Sequence, residues 1–195
     1  MLFKPMLTNN KKIILGLVGD LAGGKGTICQ YLKRKYNVNS YRFSTMLRDI
    51  LDRIYVENNR ENLQDLSTFL RGRYGQDIMS KVIVKDVLQD KNDLVVVDGI
   101  RRPTDITYLQ ELPGFHLIYI TADPKLRWQR MVLRQENPDD AGKTFDQFLK
   151  DEQAEADMLI KELGKKAKYT LVNNGSVEEF YVGMEAVLTQ IRECC

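Results

Sequence analysis

"GDLAGGKGTI", residues 19–28, is the stretch that decides the fold. It lies between an apolar run, residues 13–18, and an amphipathic segment, residues 27–36. The branched apolar residues of the first run predict a buried strand, and the spacing of the second predicts a helix. Four glycines at such a junction let the backbone curl, so that successive N–H groups point inward at an anion. The stretch therefore predicts a phosphate-binding loop, here called the phosphate loop (residues 19–27).

The residues of the phosphate loop specify what it would hold. Gly19, four further residues, and then Gly24-Lys25-Gly26-Thr27 follow a predicted strand and open a predicted helix, which is the context this motif requires. The start of the helix adds a positive end. Lys25 can reach the outer phosphates of ATP as a point charge, and Gly26 leaves room for close approach. The Thr27 hydroxyl is placed to hold Mg²⁺ directly or through water, so ATP and Mg²⁺ are the predicted cofactors.

Composition limits the class of protein. The chain has 195 residues, 43% of them hydrophobic and 29% charged, which favours one globular domain spanning residues 1–195. With 29 basic and 27 acidic residues the net charge is only +2, so a nucleic acid polymer is not an expected partner. A small phosphorylated molecule bound by a few arginines remains compatible with this balance. A monomer and a homodimer both stay open.

Cysteines and apolar segments indicate the compartment. The three cysteines are odd in number, two are adjacent, and no metal-ligand spacing is present, so reduced thiols are expected. The first twelve residues lack the long apolar core of a signal peptide, and no window has the length of a membrane span. We therefore expect a cytoplasmic protein with no membrane partner.

Alternating short strands and helices predict the architecture. Further apolar runs predict strands that include residues 41–43, 94–97, 115–120 and 169–172. Helix starts are predicted from Ser44 as an N-cap, from Pro103 and Pro124 in first turns, and from a capping box of Ser176 with Glu179. This order is typical of an α/β fold with a five-stranded, mostly parallel sheet covered on both faces. The polar residues 134–143 are expected to form a mobile loop.

The residues around the third strand narrow the reaction. The chain has no Asn-Lys-x-Asp, the guanine-reading motif of switch GTPases. Its strand at residues 94–97 ends in Asp98-Gly99, without the second acid that activates water in many motor ATPases. Asp98 closes a strand where open parallel sheets bind ligands, so it could bind Mg²⁺ through water or orient an acceptor. A phosphotransferase is favoured, and a regulatory ATPase that binds nucleotide remains an alternative.

Several segments resemble nucleotide kinases. "GDLAGGKGT" is similar to their phosphate loop, and "FSTMLRDIL" resembles the acceptor-binding helix of nucleoside monophosphate kinases. "NLQDLSTFLRGRYGQD", "VVVDGIRRPTDITYLQEL" and "YTLVNNGSVEEF" resemble deoxynucleoside monophosphate kinases among the relatives of adenylate kinase and dephospho-CoA kinase. The resemblance covers about residues 12–190 and implies a three-layer P-loop kinase fold. Two positions depart from the pattern, Ala22 in place of a common proline and Lys150 in place of a common arginine.

The resemblance implies an acceptor side within a helical region near residues 44–90, together with the end of the third strand. A small phosphorylated acceptor, a nucleoside or deoxynucleoside monophosphate, is the implied substrate, and dephospho-CoA is the alternative acceptor. The residues implied for acceptor binding are Ser44, Arg48, Arg71, Asp98 and Arg101.

The resemblance also implies a lid near residues 127–152. Arg130 and Arg134 would be lid arginines, one over the base of ATP and one on the transferring phosphate. Lys25, Asp98, Arg130 and Arg134 are the implied catalytic residues, with Thr27 and Asp98 at the metal. The implied nucleotide-binding residues are Gly19, Ala22, Gly23, Gly24, Lys25, Gly26, Thr27, Ile28, Arg130, Asn174 and Gly175.

Overall fold

Five parallel strands form the sheet that carries the site. The structure is a computed structural model, and it describes residues 12–135, 140–153 and 155–194. The strands are β1 Ile13–Gly19, β2 Asn39–Arg42, β3 Leu94–Asp98, β4 Phe115–Thr121 and β5 Tyr169–Val172. Their spatial order is β2-β3-β1-β4-β5, and every neighbouring pair is parallel. The α/β fold class with a five-stranded parallel sheet is confirmed.

Helices connect the strands and cover both faces of the sheet. They are α1 Lys25–Tyr36, α2 Phe43–Arg53, α3 Arg60–Tyr74, α4 Ile78–Gln89, α5 Pro124–Arg134, α6 Phe145–Asp151, α7 Glu155–Lys166 and α8 Val177–Glu193. Short 3₁₀ turns lie at Pro103–Asp105, Leu109–Glu111 and Asp140–Gly142. Among the helices of the described ranges, none combines the length and apolarity that spanning a bilayer requires.

The alternation of side chains along β1 produces two cores. Leu15 and Leu17 face α1 and α8, whereas Ile14 and Val18 face the side covered by α4 and α7. All seven residues of β1 are buried, because successive side chains point to opposite faces and both faces are covered. This explains why β1 is a continuous apolar run in the sequence.

The order of the strands places the site at β1. From β1 the chain runs to β2 and β3 on one side, and later to β4 and β5 on the other. Ligands of open α/β sheets bind at the carboxyl ends of the strands where the order reverses in this way. Gly19 at the end of β1 and Asp98 at the end of β3 therefore lie at the same edge.

Two predicted helix starts are wrong. The N-cap of α2 is Arg42 and not Ser44, because the helix begins at Phe43, whose side chain is buried in the core. Pro103 opens only a 3₁₀ turn, which ends at Asp105. The Asp105 carboxylate accepts hydrogen bonds from the backbone N–H groups of Arg101 and Arg102, and these bonds hold residues 101–105 in a tight turn instead of a longer helix. The capping box of Ser176 and Glu179 is confirmed. The predicted mobile loop lies partly outside the described residues, at 136–139.

Candidate active site

At two positions of the phosphate loop a side chain larger than that of glycine would clash with neighbouring atoms. Gly24 has φ of 112°, in the left-handed region that glycine tolerates, and a Cβ there would lie 2.4 Å from Nδ2 of Asn173. A Cβ on Gly19 would lie 2.1 Å from the carbonyl oxygen of Ile120. A Cβ on Gly26, in contrast, would meet nothing within 4 Å. The loop is thus packed against β4 and Asn173 on one side and open at Gly26, at the start of α1.

The departure at Ala22 has a backbone cause. Ala22 has φ of 55°, whereas the ring of proline fixes φ near −65°. Proline is therefore incompatible with the loop in this conformation. Gly23 donates its backbone N–H to the carbonyl oxygen of Asp20 at 3.1 Å, and Ile28 beneath the loop is fully buried.

Lys25 folds back onto the phosphate loop. Its Nζ donates to the carbonyl oxygens of Gly19, at 2.5 Å, and Asp20, at 2.9 Å. Burial lowers the pKa of Lys25 from 10.5 to about 8, while the charge of Asp98 opposes this shift. The nearby charges of Arg101 and Arg134 lower it further. The ammonium is thus poorly solvated and would gain from a nearby anion.

Asp98 lies within the electrostatic range of Lys25 and has partners of its own. It is 4% exposed, accepts a hydrogen bond from the backbone N–H of Gly99 at 2.8 Å, and forms a salt bridge with Nε of Arg42 at 2.7 Å. Arg42 was not among the predicted site residues. A charged residue at the carboxyl end of a predicted parallel strand is the signal that could have found it.

Cys29 on α1 provides a chemical test of this region. Burial beside Asp98 raises the pKa of its thiol to about 12, whereas Cys194 is exposed. Because the thiolate is the reactive form, we expect iodoacetamide at pH 8 to modify Cys194 in the native protein and Cys29 only after unfolding. Peptide mass spectrometry of native and urea-unfolded samples checks this. Modification of native Cys29 at the rate of Cys194 would contradict the placement of its thiol.

The predicted arginines of α5 differ in their surroundings. Arg134 is exposed at the end of the helix, and its charge acts on Lys25 across the loop. Arg130 is half-buried, and within the described ranges its Nη1 is buried without a hydrogen-bond partner. A buried donor without a partner is costly, so this atom would gain from an acceptor such as a phosphate oxygen.

The predicted acceptor residues are divided between two places. Arg101 lies close enough to Lys25 to influence its pKa. Arg71 is instead 7% exposed, and its Nη2 donates to Asp105 at 2.8 Å. Ser44 and Arg48 are exposed on α2, and Nη1 of Arg48 contacts the carbonyl oxygen of Asn58 at 3.4 Å. The structure therefore holds Arg71 in an internal salt bridge, whereas Arg101 lies within electrostatic range of Lys25.

The segment after β5 supports the phosphate loop from behind. Asn173 is buried and donates from Nδ2 to the carbonyl oxygen of Gly23 at 3.0 Å. Asn174 accepts at Oδ1 from the backbone N–H of Asp123 at 2.7 Å, and both Asn174 and Gly175 are exposed. Within this segment Asn173 contacts the loop, whereas the predicted binding residues Asn174 and Gly175 are exposed.

A cavity of about 1020 Å³ lies beside β2 rather than over the phosphate loop. Arg42 and Tyr41 of β2 line it, together with side chains from α1, α2 and α4. Arg42 also forms the salt bridge with Asp98, so this cavity adjoins the carboxyl end of β3.

The chain is similar to UPF0200 proteins over most of its length. A UPF0200 protein of Staphylothermus marinus is 24% identical over 182 residues, covering 93% of this chain and 95% of the relative. A UPF0200 protein of Sulfurisphaera tokodaii is 27% identical over 179 residues, covering 91% of this chain and 97% of the relative. Both relatives match nearly over their full length.

Solved structures show the same fold at low identity. TT1252 from Thermus thermophilus has a TM-score of 0.62 and 18% identity, covering 92% of this chain and 97% of its own. Shikimate kinase from Bacteroides thetaiotaomicron has a TM-score of 0.62 and 17% identity, covering 91% of this chain and 98% of its own. The chain thus has the fold of P-loop kinases, as the motifs predicted. A family model described as an AAA domain matches residues 21–147, more than half of the chain and most of the phosphate loop, so the chain belongs to the AAA domain family.

Proposed function

We propose that this chain is a kinase that transfers the γ-phosphoryl group of ATP to a nucleoside or deoxynucleoside monophosphate. One observation carries the proposal: cationic side chains from α1 and α5 lie at the phosphate loop. Nζ of Lys25 donates to the carbonyl oxygens of Gly19 and Asp20, and Nε of Arg127 lies 3.9 Å from the Asp20 carboxylate. The charges of Arg101 after β3 and Arg134 of α5 both lower the pKa of Lys25, whereas Asp98 already pairs with Arg42. Phosphoryl transfer requires such charge stabilisation and alignment rather than covalent chemistry by the protein.

The residues fit Mg²⁺-ATP. The space at Gly26 is open. Nη1 of Arg130 is a buried donor that has no acceptor within the described residues, and a phosphate oxygen of ATP would supply one. Thr27 and Asp98 offer the hydroxyl and carboxylate oxygens that Mg²⁺ prefers, and would hold the ion together with phosphate and water. When bound, the ion neutralises charge on the transferring phosphoryl group.

The chain's own residues would then divide the work. Lys25 would leave the carbonyl oxygens of Gly19 and Asp20 for the phosphates of ATP, and Arg134 would face the transferring group. Arg101 would orient the acceptor at the carboxyl end of β3. Displacement of water from this site would suppress hydrolysis of ATP.

A turnover screen tests the proposal. ADP release from Mg²⁺-ATP is measured with each ribo- and deoxyribonucleoside monophosphate, with dephospho-CoA, with shikimate (the substrate in the name of the structural neighbour), and without acceptor. Stimulation by one monophosphate of at least tenfold over the reaction without acceptor supports the proposal. Stimulation by dephospho-CoA or shikimate alone would support phosphoryl transfer from ATP but overturn the proposed nucleoside monophosphate acceptor. ATP binding without stimulation by any acceptor overturns the proposal and favours a regulatory ATPase.

The pKa of Lys25 predicts how ATP binding depends on pH. In the free protein burial lowers it to about 8, and the phosphates would raise it again by favouring the charged ammonium. Above pH 8 binding must therefore take up a proton, so we expect the Kd for ATP to rise by up to roughly tenfold per pH unit. Calorimetry in buffers of different ionisation enthalpy should show proton uptake near zero at pH 6.5 and near one at pH 9. Equal uptake at both values would contradict this reading of Lys25.

A further inference from the structure

Arg127 joins two parts of the candidate site that are distant in sequence. Its side chain is 3% exposed and contacts Asp20, the second residue of the phosphate loop, and Glu152, the first residue after α6. We propose that Arg127 is a positioning residue that couples the phosphate loop to α6 and orients Arg130 and Arg134 toward bound ATP. This inference rests on the proposed function, since it concerns how the site responds to ATP.

The contacts of Arg127 fix its guanidinium in one place. Nε donates to the carbonyl oxygen of Ala122 at 2.9 Å, and Nη1 and Nη2 each donate to one carboxylate oxygen of Glu152. Nε also lies 3.9 Å from Oδ2 of Asp20, and the guanidinium lies 5.4 Å from the ring centre of Phe148. A two-pronged pair with a carboxylate is geometrically specific, so the position of Arg127 depends on that of Glu152.

Asp20 connects Arg127 to the phosphate loop. Its carboxylate accepts from the hydroxyl of Tyr119, at 2.8 and 2.9 Å, and from the hydroxyl of Thr121, at 2.5 Å. Its backbone carbonyl accepts from Nζ of Lys25 and from the N–H of Gly23. Asp20 is therefore the residue where the buried network meets the group proposed to bind phosphate.

Glu152 connects Arg127 to α6. Glu152 is the C-cap of this helix, and its backbone N–H donates to the carbonyl oxygen of Phe148. Phe148 is 1% exposed and packs beneath the guanidinium of Arg127. A shift of Arg127 would therefore disturb the end of α6 and its one buried aromatic anchor at the same time.

The same residue sets the rotation of α5. Arg130 and Arg134 follow Arg127 by three and seven positions, so all three lie along one side of the helix. Nε of Arg127 lies 3.9 Å from Oδ2 of Asp20, so this side of the helix faces the phosphate loop. Fixing Arg127 between Asp20 and Glu152 therefore directs Arg130 and Arg134 to the place where phosphates would bind.

Hydrogen exchange tests the coupling with Mg²⁺-ATP and no acceptor. In the wild-type protein we expect ATP to slow amide exchange at least tenfold both in the phosphate loop with α1 and in α6. In Glu152→Gln, which keeps the size of the side chain but removes its charge, the first effect should persist and the second should be lost. Melting temperatures are measured first to establish that the variants fold.

Asp151→Asn is the matched control. Asp151 is the neighbouring acid, its side chain is 55% exposed, and it pairs with Lys143 at the surface. The same acid-to-amide change there should leave the protection of α6 by ATP as in the wild type. Protection of α6 that persists in Glu152→Gln, or that is lost equally in Asp151→Asn, overturns the inference.

The wild-type result separates this inference from the proposed function. Protection of the phosphate loop without protection of α6 overturns the coupling and leaves ATP binding in place. An absence of any ATP effect overturns both proposals.

Kinetics distinguish positioning from mere support of the fold. With an acceptor from the turnover screen, Arg127→Lys and Glu152→Gln should lower kcat at least tenfold and keep the KM for ATP within threefold. These measurements are made well below the melting temperature of each variant. Unchanged kcat in both variants, together with lower melting temperatures, would show a structural role only and overturn the proposal.

Discussion

Lys25→Ala is expected to lower acceptor-dependent turnover by about 100- to 1,000-fold, the usual effect of removing one preorganised donor from a transition state. The reason is its position: its ammonium is the charged group that the start of α1 presents at the phosphate loop, beside Asp98 and Arg101. Alanine leaves the loop backbone and its N–H groups in place. The loss is therefore expected mainly in kcat.

The fold should tolerate this substitution, because burial disfavours the charged form of Lys25. Below pH 8 the folded protein bears this cost in full, and between pH 8 and 10.5 the cost disappears as Lys25 loses its proton in the folded state first. The stability of the wild type relative to Lys25→Ala should therefore rise with pH across this window. Urea unfolding at pH 7 and pH 10 measures the difference.

Lys33→Ala is the matched control for Lys25→Ala, since Lys33 is an exposed lysine on the same helix. Its turnover and its unfolding midpoint should stay close to those of the wild type. Turnover of Lys25→Ala within threefold of the wild type would contradict the proposed role of the phosphate loop.

The fold could be predicted from the sequence because buried strands and tight turns each require particular residue types at neighbouring positions. β1 and β3 are apolar runs because helices cover both faces of the sheet there, and the glycines of the phosphate loop mark a turn that side chains would block. The start of α2 was misplaced because burial of Phe43 overrides the capping preference of Ser44.

The polar partners inside the site could not be predicted in the same way. Asp20 in a glycine-rich loop reads as a solvated residue, yet its carboxylate is buried against Tyr119 and Thr121, about a hundred positions later in the chain. The salt bridge of Arg42 with Asp98 depends on the lateral order of β2 and β3. Such pairs follow from tertiary contacts between elements, and a single sequence carries no local signal for them.

Arg71→Met is expected to lower the free energy of unfolding by about 3–5 kcal/mol, the usual effect of leaving one partner of a buried salt bridge alone. The side chains of Arg71 and Asp105 are 8% and 4% exposed, and Nη2 lies 2.8 Å from Oδ1. Without Arg71, Oδ1 of Asp105 loses its salt-bridge partner, while Oδ2 still accepts hydrogen bonds from the backbone N–H groups of Arg101 and Arg102. Urea unfolding should show a lower midpoint with an unchanged slope.

Arg73→Met is the control for Arg71→Met, because Arg73 is exposed on the same helix and should change stability by less than about 0.5 kcal/mol.

Asp105→Asn combined with Arg71→Met should cost less than the sum of the two single changes, since the pair is lost only once. This outcome would assign Arg71 to holding the segment that carries Arg101, so that it would affect the acceptor through Arg101. A loss for Arg71→Met no larger than for Arg73→Met would instead mean that the salt bridge contributes little. Arg71 would then be available to contact the acceptor's phosphate, as the kinase resemblance implied, and its substitution should raise the acceptor's KM without lowering stability.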